Sequence, residues 1–282
     1  MSLRSIVWSI GSILPLLGAS LAPAQPSAKL PLPDIRELMR EVQEHQRQLD
    51  KVRESYTYSS MQTTQDLDAN GQVKKTETEE REDFFVNGHL IVRTVKKNGQ
   101  PLSGHDQQKE TERVAKLVEK AEKTPSDQPL EGPSISISRM LEIMDVRNPR
   151  RETYNGRPAI AFDFIGRKDA KTHGLAEDAS KELQGTVWVD EADRQVAHLE
   201  VRFHNNFRIA GGIFASIAKG SSFRFDQAPV HDGLWLPIGG EGTVKARLLL
   251  LKNVRQHFME RDYDYKRFKV ETQQSKDAQL VP

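Results

Sequence analysis

Few residues in this 282-residue chain stand at spacings that could do chemistry. His198, Glu200 and His204 alternate along one segment, so in an extended strand all three point to the same side. Two imidazoles and a carboxylate arranged this way could hold a divalent metal. An exposed polar sheet face explains the same alternation without a metal. The pattern favours that face, because no helical HExxH pair accompanies it. Asp262 and Asp264 sit two apart in a tyrosine-rich strand, where paired carboxylates could cleave a glycoside. Nothing else suggests a sugar cleft, and structural or surface roles are the expectation. In AKGSS, 218–222, the lysine precedes the glycine, whereas a phosphate-binding loop needs Gly-Lys-Ser/Thr opening a helix. No GxSxG nucleophile elbow occurs. The chain has no cysteine, which excludes disulfides, thiol catalysis and thiolate metal sites. The expectation is a protein that is not an enzyme, with no metal and no cofactor.

The elements around these residues carry more information than the residues themselves. GTVWVDEADRQVAHLEVRF, 185–203, reads as strand, turn, strand. Ala197, Leu199, Val201 and Phe203 alternate with His198, Glu200, Arg202 and His204, giving one apolar and one charged face. The apolar face must cover either a packed core or a cavity. From residue 147 the chain is nearly all short strands separated by Gly, Pro or Asn, as in one antiparallel sheet. Phe223 and Phe225, two apart on one strand, are expected on the same face as Leu199, Val201 and Phe203.

The N-terminal half contains the expected helices. Asp34 with Glu37 is a variant capping box, followed by Ile35, Leu38, Met39, Val42, Leu49 and Val52 at helical spacing. This predicts an amphipathic helix over about 34–54. A polar hairpin follows, with a turn at Asp68–Gly71 and a charged return arm, VKKTETEEREDFF, read as a solvated strand. Asn87-Gly88 and Asn98-Gly99 bracket another strand. Residues 106–123 form a charged helix, 124–133 a linker, and Ser134 or Ser136 caps a short helix ending near Met144.

Apolar residues make up 37% and charged residues 29% of the chain, a polar globular composition. A net charge of +1 offers no excess of cations, so nucleic acid is not an expected partner. Ile6–Leu17 is an apolar run with the length of a signal-peptide core, too short to span a bilayer. Ala22-Pro23-Ala24 fits the cleavage pattern, which makes residues 1–24 a cleavable signal peptide and the protein periplasmic or secreted. The competing reading is an uncleaved anchor. Cleavage would remove one charge, Arg4, and leave a formally neutral chain without a transmembrane segment. Residues 25–33 are then a Pro-rich tether, 34–272 a single domain and 273–282 a tail.

Ile209–Ala218, IAGGIFASIA, is uncharged between Arg208 and Lys219. A buried strand or short helix is the favoured reading. The functional one is a mobile apolar lip of Ile209, Ile213, Phe214 and Ile217 that contacts a lipid or membrane.

Four stretches, GTVWVDEADRQVAHLEVRF, KGSSFRFDQAPVHDGLWLP, GTVKARLLLLK and DYDYKRF, together with YNGRPAIAFDF, resemble the periplasmic outer-membrane lipoprotein carrier (LolA-like) superfamily. The form is similar to a subgroup of lipoprotein-sorting proteins common in acidobacteria. The resemblance covers most of residues 56–270. It implies an α+β fold: a curved antiparallel half-barrel with helices packed against the concave face. It also implies an apolar cavity for lipid or lipoprotein acyl chains, with Leu199, Val201, Phe203, Phe223 and Phe225 lining it. The alternative is an envelope sensor or interaction module with a packed interior and an envelope protein as partner.

Overall fold

The structure is a computed structural model that describes residues 31–126, 128, 130, 135–230, 233–249 and 251–267. The expected signal peptide and its cleavage point, most of the tether, and the tail 273–282 lie outside the described residues.

Helix α1 (Ile35–Arg53) begins where Asp34 accepts hydrogen bonds from the backbone N–H groups of Arg36 and Glu37, at 2.9 and 3.0 Å. Those bonds satisfy two of the donors that a helix start leaves open. Two long strands follow, β1 (Tyr56–Leu67) and β2 (Val73–Val86), then β3 (His89–Lys97) and the short β4 (Gln100–Pro101). Next come α2 (Gly104–Lys123) and α3 (Ile137–Ile143), the latter capped by Ser136. The chain then alternates strand and turn: β5 (Met144–Tyr154), β6 (Arg157–Gly166), the small α4 (Leu175–Ser180), β7 (Leu183–Asp190), β8 (Val196–Phe203), β9 (Phe207–Ile209), β10 (Ala215–Ile217), β11 (Ser222–Pro229), β12 (Trp235–Leu248) and β13 (Lys252–Arg267).

Among the described residues thirteen strands make one open antiparallel sheet, in the order β4-β3-β2-β1-β13-β12-β11-β8-β7-β6-β5. The last strand, β13, pairs with the first, β1, so the first and last strands meet inside the sheet. β9 and β10 leave this path as a hairpin, and β10 pairs with the far end of β12. The α+β class and the single antiparallel sheet are as the sequence predicts.

Opposed residues in a sheet share a face. Phe162 opposes Val187, Val187 opposes Leu199, and Leu199 opposes Phe225. On that face pack Leu38, Met39 and Val42 of α1 with Met140 and Leu141 of α3. Each such side chain removed from water stabilises the fold by about 1.5–3 kcal/mol. Ser138 donates to Asp50 at 2.8 Å and Arg47 pairs with Glu142 at 3.0 Å, tying the two helices together. The second helix lies elsewhere. Leu117 and Ala121 of α2 pack with Ile91, Phe84 and Val86. The neighbouring Phe85 points the other way, with the Arg53 guanidinium of α1 over its ring at 5.6 Å. The two sides of β2 therefore carry different helices.

Candidate functional site

The helix-bearing face is where the sequence places its candidate cavity. Leu199 and Val201 are 2% and 3% exposed, and Phe203 is buried in the same cluster. Phe223 and Phe225 are half-buried, oppose Val201 and Leu199, and pack against the cluster. All five therefore come together on one face, as the alternation predicts. Phe164 lies over Gly185, where an added Cβ would come within 2.9 Å of its ring. The glycine lets the ring lie flat on the sheet.

Toward the end of α1, Leu49 packs with Tyr56, Trp235, Leu236 and Tyr265, but along the row through Phe225 the apolar character stops at β12. Phe225 and Phe223 face Gly240 and Gly242, and beyond them on β13 stand Glu260 and Phe258. Next to Glu260 on this face come Asp262, opposite Ser60, and Asp83, opposite Tyr58. Asp83 and Asp262 are buried, and each has a carboxylate oxygen with no hydrogen-bond partner. Burial pushes the Asp83 carboxyl up to about 6, with Ser60 opposing the rise. It pushes Asp262 up to about 7, with Glu260 and Asp83 adding to the effect. Burial raises Glu260 as well. Sequence reading gives Asp262 a structural or surface role, and it is a buried one. The charged return arm is solvated at Val73–Glu77 and again at Glu82, whereas Asp83 turns inward.

The opposite face carries an open groove of about 670 Å³. Asp163, Thr186, Glu200, Arg224 and Glu241 cross it as one row, each opposing the next. Gln184, Arg202, Ser222, Thr243 and His257 form the neighbouring row. Two carboxylates of the first row are paired: Glu241 with Arg224 of the same row, and Asp163 with Arg150 of β5 at 2.8 Å.

His198, on the same side, is buried rather than exposed. Its ring stacks on Tyr154 at 4.7 Å and meets Trp188 at 5.0 Å. Nδ1 lies 2.7 Å from Asp226 Oδ1 and Nε2 lies 3.3 Å from Glu200 Oε1. Tyr154 also donates to Asp226. Burial opposes charging of the ring, but the bonds to Asp226 and Glu200 outweigh it and hold its pKa above the ordinary value. His204 turns instead toward Glu182, at 3.9 Å. Among the described residues no cluster of His, Asp and Glu forms a metal site.

The lip is not buried. Ile213 and Phe214 are 60% and 61% exposed, at the end of the β9–β10 hairpin, while Ile209 and Ile217 are half-buried. A helical turn at Ala210–Gly212 with positive φ at Ala210, Gly211 and Gly212 reverses the chain there and turns the apolar tip outward. Phe207 and Ile217 oppose each other and pack against the cluster under α1 and α3. One hairpin thus carries apolar residues both at the exposed lip and against the interior.

This constellation defines an α+β protein with one open antiparallel sheet and an apolar, helix-covered face. Three solved structures are similar to it. One is a LolA superfamily protein from Nitrosomonas europaea, with 10% identity, 81% of this chain and 94% of that chain covered, and a TM-score of 0.36. Another, described as an outer membrane lipoprotein-sorting domain, comes from Vibrio parahaemolyticus (12%, 81% and 92%, TM-score 0.37). The third is a DUF1329 family protein from Desulfovibrio piger (9%, 83% and 94%, TM-score 0.33). No protein-family model and no curated protein matches the chain. No helix among the described residues is long and apolar enough to cross a membrane.

Proposed function

We propose that this is a non-catalytic periplasmic protein that binds the acyl chains of a lipid or lipoprotein on the helix-bearing face, in the service of outer-membrane lipoprotein sorting. The observation that carries the reading is the hairpin that bears exposed Ile213 and Phe214 at its tip and packs Phe207 and Ile217 against the layer of Leu199, Val201, Phe203, Phe223 and Phe225. An acyl chain entering along it would exchange water for apolar side chains, at about 25 cal/mol per Å².

A second reading is an envelope interaction module with a permanently packed interior. It is favoured by Ile160, Phe162, Val187, Val189 and Val196, which are wholly buried. Phe225→Ala separates the two. In the binding reading its ring touches ligand on one side, so displacement of a fluorescent fatty-acid probe weakens at least about tenfold while stability falls little. In a packed interior the lost ring costs about 3–5 kcal/mol. Severe destabilisation, with no probe bound by either protein, would leave the interaction module standing.

A further inference from the structure

The lip does not stand alone. The turn between β12 and β13 projects beside it, and the Leu249 N–H donates to the Phe214 carbonyl at 2.9 Å. In the sequence this turn is four consecutive leucines, 248–251. Leu249 and Leu251 are 65% and 88% exposed, and Leu248 is exposed as well. Leu249 also has a φ of +48°, a backbone state that favours Gly or Asn. The turns Asn87-Gly88, Asn98-Gly99 and Asn155-Gly156 obey that preference at positive φ, whereas Arg194 and Ala210 depart from it as Leu249 does. Here a bulky apolar residue takes the strained position and leaves its side chain in water. Folding gains nothing from either.

The charges around this tip are equally unusual. Arg208 opposes Ser216, which opposes Arg247, so two arginines share one row on the polar face. Lys245 stands directly opposite Arg255, a like-charged pair that is unfavourable in a sheet. Arg255 donates to the carbonyls of Asp68 and Ala69. Arg208, Lys219, Lys245, Arg247 and Lys252 are exposed and enter no ion pair among the described residues. Glu241, on the same face of β12, is already held by Arg224 and His257. Elsewhere on the molecule exposed charges are commonly paired, as in Arg151–Glu191 and Arg93–Glu82.

We propose that the tip formed by Ile213, Phe214, Leu248, Leu249 and Leu251, with its basic collar, docks onto a bilayer that contains anionic phospholipid. The apolar side chains enter the acyl boundary and the collar meets the phosphates. This is the combination by which interfacial elements bind membranes. The proposal does not require that the interior bind an acyl chain. A protein partner would leave five unpaired cations to match with its own acids, whereas an anionic surface neutralises all of them without a specific register.

The test is sedimentation of the protein with vesicles of phosphatidylcholine alone or with phosphatidylglycerol, using variants that share one N-terminus. Wild type is expected to bind the anionic vesicles in a salt-sensitive way and the neutral ones weakly. Leu249→Ser with Leu251→Ser should weaken binding more than about tenfold. Each of Arg208→Gln and Arg247→Gln should weaken it about fivefold and reduce the salt dependence. These residues are exposed, so the variants should retain the wild-type melting curve. Equal binding by wild type and the leucine variant would overturn the proposal. So would wild type that ignores anionic vesicles at low salt, or a tip that instead holds two copies together, seen as a mass that halves in Leu249→Ser.

Discussion

The helix-bearing face of the sheet has two halves that lie side by side in one run of paired strands yet differ in chemistry. Across β6, β7, β8 and β11 one row runs Phe162, Val187, Leu199, Phe225. The same row continues through Gly240 to Glu260 and Gln62. Glycines on β12 mark the change. On one side burial removes hydrocarbon from water. On the other it holds Asp83, Asp262 and Glu260 where their charged forms are disfavoured. A strand's parity thus decides which residues face inward but not what the inward side is made of. The apolar half can serve as a ligand wall. The acidic half makes stability depend on pH.

The largest effect should come from carrying the acidic chemistry into the apolar half. Leu38 of α1 is buried against that face, and Leu38→Asp would place an unpaired charge there. The expected loss is at least about 4 kcal/mol, read by denaturant or thermal unfolding. An unchanged melting curve would mean that α1 does not hold the layer closed.

A smaller effect of opposite sign is expected in the acidic half. The folded-state pKa values of Asp83 and Asp262 lie above the ordinary 3.8, so the folded protein keeps these protons longer than the unfolded chain. Their contribution is fully present below about pH 4 and is lost as pH rises through about 6 and 7. Asp262→Asn should flatten this slope and stabilise the protein at pH 8 on the order of 1–3 kcal/mol, because the amide can donate where the carboxylate cannot. Unfolding curves between pH 4 and pH 8 would show it. A variant as pH-sensitive as wild type would place the lever in other groups.

Much of this arrangement is legible in the sequence. The start of α1 is written in Asp34 and Glu37, α3 in Ser136, and the shared face of Leu199, Val201, Phe203, Phe223 and Phe225 in their alternation. What escapes is long-range. The stripe of α2 does not say which side of β2 and β3 it covers. The six residues of α4, led by Gly174 rather than a side-chain cap, leave no periodic signal. His198 looks solvent-facing on its strand, but Trp188, opposite it on β7, and Tyr154, distant in sequence, close over it. Leu248–Leu251 reads as strand because nothing there resembles a turn. Ile213 and Phe214 read as buried because an exposed apolar residue has the same pattern as a buried one. The tip is therefore where local rules and structure disagree most, as expected where sequence serves something other than folding.

The measurement closest to the central claim is native mass spectrometry of the protein purified from its own envelope. If the helix-bearing face binds acyl chains, a fraction of the molecules should carry an added mass that organic solvent releases as a lipid or lipid-modified species. Phe225→Ala should carry less of it. A single ligand-free mass in every preparation, from a protein that also fails to bind a fatty-acid probe, would contradict the claim and leave the apolar face as a packed core.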